Sequence, residues 1–189
     1  QSGATVEDSA DSKRATNNIL KRRSHLILLA QNQKGLNNIF KLVSESYKPE
    51  NYYRYPRIDF EMLEKYGEGV VAASACLGGV YASDFWHSST YDAEGNRTGH
   101  DPDIALESMR KTSQRMVDIF GDRWYAELQW NNIPEQHHLN QLIIQVAKEF
   151  DIKLISTADS HYPSPEAWKD RELYNRLGWL GKGRPSWAQ

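Results

Sequence analysis

The segment Ser156-Thr157-Ala158-Asp159-Ser160-His161-Tyr162 follows a short apolar run, Ile152-Lys153-Leu154-Ile155, whose pattern is that of a buried strand. An Asp and a His two residues apart, just past a strand end, can turn both side chains to one side. That is how a carboxylate and an imidazole reach one divalent metal ion. In α/β architectures the loops at the C-terminal ends of strands build the active site. Asp159 and His161 are therefore candidate metal ligands and the candidate catalytic pair. The same spacing also suits an Asp capping the next turn and a surface His, and spacing alone does not choose between the two.

Two further positions carry metal-capable side chains at strand ends. His25 stands at the start of an apolar run and Cys76 just past another, Val70-Val71-Ala72-Ala73-Ser74. A parallel sheet brings neighbouring loop ends together, so ligands remote in sequence can converge. Each position has a plainer alternative: a lone Cys after an apolar run is often a small buried hydrophobe, and a strand-edge His is often only hydrogen-bonded. Glu127 lies inside a strand-like run between Ala126 and Leu128, where a strand-face or salt-bridge role outweighs catalysis. His137 and His138 are adjacent on a helix and point about 100° apart, which makes them poor joint ligands and surface residues. His87 and His100 fall in a polar insertion and are expected to be exposed. Tyr52-Tyr53-Arg54-Tyr55 could stack bases, or simply pack a loop. There is no Walker-type or G-x-G-x-x-G phosphate loop, no G-x-S-x-G elbow and no acidic cluster for paired polymerase metals.

The elements that must position these groups alternate. Residues 25–30 (HLILLA) form a strand. Leu36, Ile39, Phe40 and Val43 recur at helical spacing, giving an amphipathic helix over 34–47. Residues 48–57 are Tyr- and Pro-rich and predict a loop. Asp59 caps a short helix over 60–66, closed by Gly67. Residues 69–74 form a second strand, and 87–100 a surface hairpin or insertion. Asp101-Pro102 opens a long helix that stops at Gly121. Residues 124–130 form a third strand. Pro134 starts a helix with Leu139, Leu142, Ile143, Val146 and Ala147 on one face. Leu154-Ile155 marks the fourth strand, and residues 165–177 the last helix. Four strands separated by helices imply right-handed crossovers and a parallel sheet or barrel.

The chain has 189 residues, enough for one domain with a sizeable core. Residues 1–23 are expected to be a disordered or expression-derived segment, with Lys21-Arg22-Arg23 as a solvated approach to the first strand. Residues 178–189 predict a linker. With 23 basic and 25 acidic residues the net charge is -2, which gives no support for a strong nucleic-acid grip by this piece. The single cysteine excludes a disulfide framework and fits a reducing cytoplasm. No apolar stretch is long enough to cross a membrane.

Five motifs together resemble one family. His25-Leu26-Ile27-Leu28-Leu29-Ala30-Gln31-Asn32 with Gly35-Leu36-Asn37-Asn38 is similar to the HLxLLAxNxxGxxNL run of bacterial replicative DNA polymerase III alpha subunits. Pro56-Arg57-Ile58-Asp59 matches its PRID segment and Ser74-Ala75-Cys76-Leu77-Gly78-Gly79 its SACLxG segment. Residues 120–129 (FGDRWYAELQ) resemble its FGDRFYLELQ strand, and Thr157-Ala158-Asp159-Ser160-His161-Tyr162 its TNDVHY segment. The motifs keep the family's order and span residues 24–162. They identify the region as the later portion of a PHP (polymerase and histidinol phosphatase) domain, residues 24–177.

The resemblance implies an α/β fold of distorted seven-stranded βα-barrel type, with the first strands missing from this chain. It implies a metal cluster, zinc or manganese, with His25, Cys76, Asp159 and His161 at ligand positions and Cys76 the least secure. The family's upstream H-x-H, D-H and Glu motifs are absent and are expected before Gln1. The insertion at 87–100 and the tail at 177–187 depart from the commonest members and point to a divergent, phage-like lineage. The parent implied is a magnesium-dependent polymerase acting on primed DNA and deoxynucleotides with replisome partners. The PHP site would be a metal-dependent phosphoesterase or 3′–5′ exonuclease, or a structural remnant. A stand-alone PHP phosphoesterase acting on a small phosphate ester is the alternative.

Overall fold

The computed structural model describes residues 23–180. The expectations for the N-terminal segment before Arg23 and for the tail beyond Leu180 lie outside the described residues. Residues up to Thr157 and residues from Ala158 form two units.

In chain order the first unit contains β1 (Ile27–Ala30), α1 (Gln33–Ser46), β2 (Tyr52–Tyr53), β3 (Tyr55–Pro56), α2 (Phe60–Tyr66), β4 (Val70–Ala73), α3 (Val80–His87), β5 (Ser89–Tyr91), β6 (Arg97–His100), α4 (Pro102–Phe120), β7 (Trp124–Gln129), α5 (Pro134–Glu149) and β8 (Lys153–Thr157). Helix starts follow local chemistry. Asn32, Asp59 and Asp101 each accept a hydrogen bond from a first-turn amide, satisfying donors that the helix leaves unpaired. Pro102 and Pro134 open α4 and α5, where the missing N–H costs nothing.

The main sheet has the order β1-β4-β7-β8. β4, β7 and β8 are parallel, but β1 is antiparallel to β4. The expectation of a wholly parallel sheet is corrected: two helices, α1 and α2, rather than one crossover helix, carry the chain from β1 to β4. Gly35 lets α1 close on the approach to β4, because a Cβ there would lie 1.8 Å from the Gly69 carbonyl oxygen.

Alternation along β7 sends Trp124, Ala126 and Leu128 to one face and Tyr125, Glu127 and Gln129 to the other. The first set packs with Tyr81, Phe85, Met109, Met116, Phe120, Leu139, Ile143 and Val146 in the core. Each large side chain fully buried there contributes roughly 1.5–3 kcal/mol. Tyr81 pins the centre: its ring meets Trp124 edge-on at 5.8 Å, and its hydroxyl bonds Ser113 Oγ at 2.7 Å and Trp124 Nε1 at 3.1 Å.

Four further expectations change. Most of the apolar stripe of α1 faces outward: Phe40 and Val43 are 59% and 52% exposed, while Ile39 packs against the core and Gly35, Asn38, Leu42 and Ser46 are buried. The loop over 48–57 contains the β2–β3 hairpin, which turns at Arg54 with a φ of 62°. α3 escaped the sequence pattern because it is short, lacks a side-chain cap and buries residues on more than one side. The insertion forms the β5–β6 hairpin, but His100 is not exposed. Its ring stacks on Phe85 at 3.7 Å, and its Nε2 lies 3.0 Å from the Arg97 guanidinium, which pairs with Glu135 on α5.

In the second unit, a 3₁₀ turn at Pro165–Ala167 leads into α6 (Trp168–Leu180). The helix expected over 165–177 thus starts with the tighter turn and runs three residues further.

Candidate metal centre

The SACLGG segment forms a tight turn where β4 ends. The Ser74 amide donates to the Tyr125 carbonyl at 3.1 Å, the last ladder-like bond. Ala75 then adopts a φ of 63°, in the left-handed region that a residue with a Cβ seldom enters. The Gly79 amide donates to the Cys76 carbonyl at 2.7 Å and closes the turn. A Cβ on Gly79 would lie 2.0 Å from the Ser74 carbonyl oxygen, so the turn closes only with glycine there.

This turn brings Cys76 to His25, 51 residues earlier in the chain. The His25 amide donates to the Gly78 carbonyl at 2.7 Å, and His25 forms an isolated parallel bridge with Gly79. Its Nδ1 lies 3.4 Å from Cys76 Sγ. The Gly78 amide also approaches that sulfur, at 3.5 Å. Zinc bonds of about 2.3 Å to sulfur and about 2.0 Å to nitrogen, at the tetrahedral angle, set two such donors roughly 3.5 Å apart. The separation of the pair fits two ligands on one ion and equally a thiol–imidazole hydrogen bond. Cys76 is half-buried and His25 exposed, so solvent reaches both.

In the second unit Asp159 has a φ of 49°. His161 Nδ1 donates to the Asp159 carbonyl at 2.6 Å, and the Asp159 carboxylate is 4.0 Å from the same nitrogen. A carbonyl only accepts, so Nδ1 is the donor, and in the neutral imidazole the lone pair is then on Nε2. Metal-ligating histidines are commonly oriented by a second hydrogen bond of this kind. Both side chains are exposed. Each unit thus holds one two-residue donor pair. Among the described residues no group of three or more His, Cys, Asp or Glu is placed to hold one metal ion.

Glu127, read from sequence as having a strand-face or salt-bridge role, is buried at 1% exposure. Its carboxylate accepts from the Ala75 amide at 2.7 Å and from Thr157 Oγ1 at 2.9 Å, tying the Cys76 turn to the end of β8. Sequence pattern missed this function, although a carboxylate at one phase of an otherwise apolar strand was a signal. His137 and His138 are exposed on α5, as expected. Tyr52 and Tyr55 are also exposed, with Arg23 stacked 3.7 Å over the Tyr55 ring. A separate cavity of about 380 Å³ is lined by Leu26, Phe60, Asp84, Thr112 and Met116 among others, and by none of the four candidate ligands. Among the described residues no helix is long and apolar enough to cross a membrane.

The first unit is a mixed α/β fold with a thiol–imidazole pair at its strand ends. The PHP domain family matches residues 3–131, and the chain belongs to that family. The match takes in His25, Cys76 and Glu127 and ends before Asp159 and His161. The chain is 46% identical over 146 residues to the DNA polymerase III subunit alpha of Aquifex aeolicus, covering 77% of this chain and 11% of that protein. It is 35% identical over 154 residues to the Campylobacter jejuni subunit, covering 82% and 12% respectively. It is 32% identical over 149 residues to the Thermus aquaticus subunit, covering 79% and 11%. The chain thus spans about a tenth of the length of the curated relatives it matches.

Proposed function

We propose that this chain is part of the PHP domain of a replicative DNA polymerase alpha subunit, and that it supplies ligands to an accessory divalent-metal site. The observation that carries the reading is the 3.4 Å approach of His25 Nδ1 to Cys76 Sγ across 51 residues of sequence. Family membership and the polymerase relatives support it.

In this reading residues 24–177 belong to an α/β fold of distorted PHP-barrel type. His25 and Cys76 are the ligands proposed in the first unit, through imidazole and thiolate, and His161 and Asp159 those proposed in the second, through Nε2 and a carboxylate. Zinc suits this mixed sulfur, nitrogen and oxygen set, and manganese is the alternative. A divalent ion there, when bound, lowers the pKa of a water and so supplies hydroxide for phosphoester hydrolysis, as a 3′–5′ exonuclease or phosphoesterase would need. The parent extends primed DNA from deoxynucleotides with magnesium, in the cytoplasm, among the other replisome subunits.

The test is the metal content of the purified chain by mass spectrometry, beside the Asp159→Ala/His161→Ala variant. Stoichiometric zinc or manganese in the parent chain, lost in the variant, is the expected result. A metal-free parent chain under zinc-replete and manganese-replete conditions overturns the ligand reading.

A further inference from the structure

We propose that Glu127 is a positioning residue for the Cys76 turn, holding it against the end of β8. The proposal rests on the ligand reading of Cys76 given above. Glu127 sits on the sheet face opposite the helical core, in phase with Tyr125 and Gln129. Its own amide donates to Ser74 Oγ at 2.8 Å, so side-chain bonding takes over where the β4–β7 ladder stops at Ala73 and Tyr125. One residue further, Ala75 leaves the strand in its left-handed conformation, and its amide can no longer point into a ladder. Glu127 supplies the missing acceptor at 2.7 Å. The other carboxylate oxygen takes the Thr157 hydroxyl at 2.9 Å, on the last residue of β8. Gln129 Nε2 approaches that same hydroxyl at 3.4 Å.

A carboxylate at 1% exposure is costly to bury. Among the described residues no Lys, Arg or His forms an ion pair with it. An apolar side chain would satisfy the strand and avoid that desolvation. What it could not do is accept from a backbone amide in one loop and a hydroxyl on another strand at once. The two bonds join the residue before Cys76 to the strand that leads toward Asp159, so Glu127 sets where the thiolate can sit. Residues behind metal ligands typically change metal affinity by about 10- to 100-fold when removed.

The experiment uses the full chain with Glu127→Ala, Glu127→Gln and Thr157→Val. Zinc affinity is read by competition with a chromophoric chelator. In metal-free protein, the rate at which an aromatic disulfide reagent labels Cys76, the single cysteine, reads the turn itself. Glutamine keeps one oxygen for the Ala75 amide and can offer its NH₂ to a reversed Thr157 hydroxyl. The expected result is that Glu127→Ala weakens zinc binding by about tenfold or more and labels several-fold faster, while Glu127→Gln stays close to the parent chain in both. Unchanged affinity and labelling in Glu127→Ala overturn the proposal. So do equal losses in both Glu127 variants that track a common fall in melting temperature, since that is a general packing effect. If the parent chain takes neither zinc nor manganese, the ligand reading fails. The labelling rates then decide the role of Glu127 by the same criteria. If Glu127→Ala does not fold, Thr157→Val decides: faster labelling than in the parent chain supports the tie, and an unchanged rate overturns it.

Discussion

Asp84 on α3 is a buried carboxylate whose oxygens accept from Ser108 Oγ at 2.7 Å and Thr112 Oγ1 at 2.8 Å. Burial raises its pKa above the ordinary carboxylate range, and the two hydroxyls pull against that rise. A carboxyl that protonates more readily folded than unfolded favours the folded state only at acid pH. As pH climbs through the ordinary range to the folded value, that contribution is lost. Asp84→Asn keeps an oxygen for one hydroxyl and an NH₂ for the other. It should therefore be more favourable to stability at neutral pH than in acid, read as the difference in urea midpoints between the two conditions. An equal effect at both would sink this account of Asp84. At this scale the sequence named His25 and Cys76 from type and strand-end position alone. It could not find the partners of Glu127, because alternation tells which face a side chain takes and not which loop arrives there. His100 misled for the same reason: a polar neighbourhood in sequence concealed a stacking contact with Phe85, fifteen residues away.

The β5–β6 hairpin is held to the body of the first unit by contacts of His100 and Arg97. His100 stacks on Phe85 and meets the Arg97 guanidinium through Nε2, with Trp86 edge-on at 5.6 Å. Burial, then the Arg97 charge, lowers its pKa below the ordinary imidazole value, and nearby His138 adds to the effect while Glu135 opposes it. A lowered folded pKa means the unfolded chain binds more protons near pH 6.5, the ordinary value. Stability from this group is thus present above that pH and lost as pH falls toward the folded value. Amide exchange in β5 and β6 should accelerate on acidification through that range, and His100→Phe should flatten the dependence. Exchange that does not vary beyond its intrinsic pH dependence would contradict this. Elements with a cap or a proline at their start were legible: α2 and α4 begin where Asp59 and Asp101 demand. The outward turn of α1 was not. Its apolar spacing is real, but Gly35 and Asn38 pack inward because they alone allow the close approach to Gly69 and the bond from Asn38 Nδ2 to the Glu68 carbonyl.

Across the first unit, four main strands were readable from their apolar runs, but pairing direction was not, since a run of Ile and Leu fits either sense. The outer edges of β1 and β8 carry no ladder partner among the described residues. Leu29 on β1 is 60% exposed, and α1 presents Leu36, Phe40 and Val43 to solvent, with Tyr47 exposed at its C-cap. Unpaired edges beside exposed apolar surface favour association. Sedimentation should therefore give an average mass that rises with concentration, reduced by Leu29→Lys with Phe40→Lys. A monomer at all concentrations would contradict this. The most direct test of the metal assignment is the absorption spectrum of the cobalt(II)-loaded chain. A thiolate-to-cobalt charge-transfer band, abolished in Cys76→Ser and weakened in His25→Ala, is the expected result. Cobalt that binds without that band, or a band unchanged in Cys76→Ser, would contradict the assignment of His25 and Cys76 as ligands to one ion.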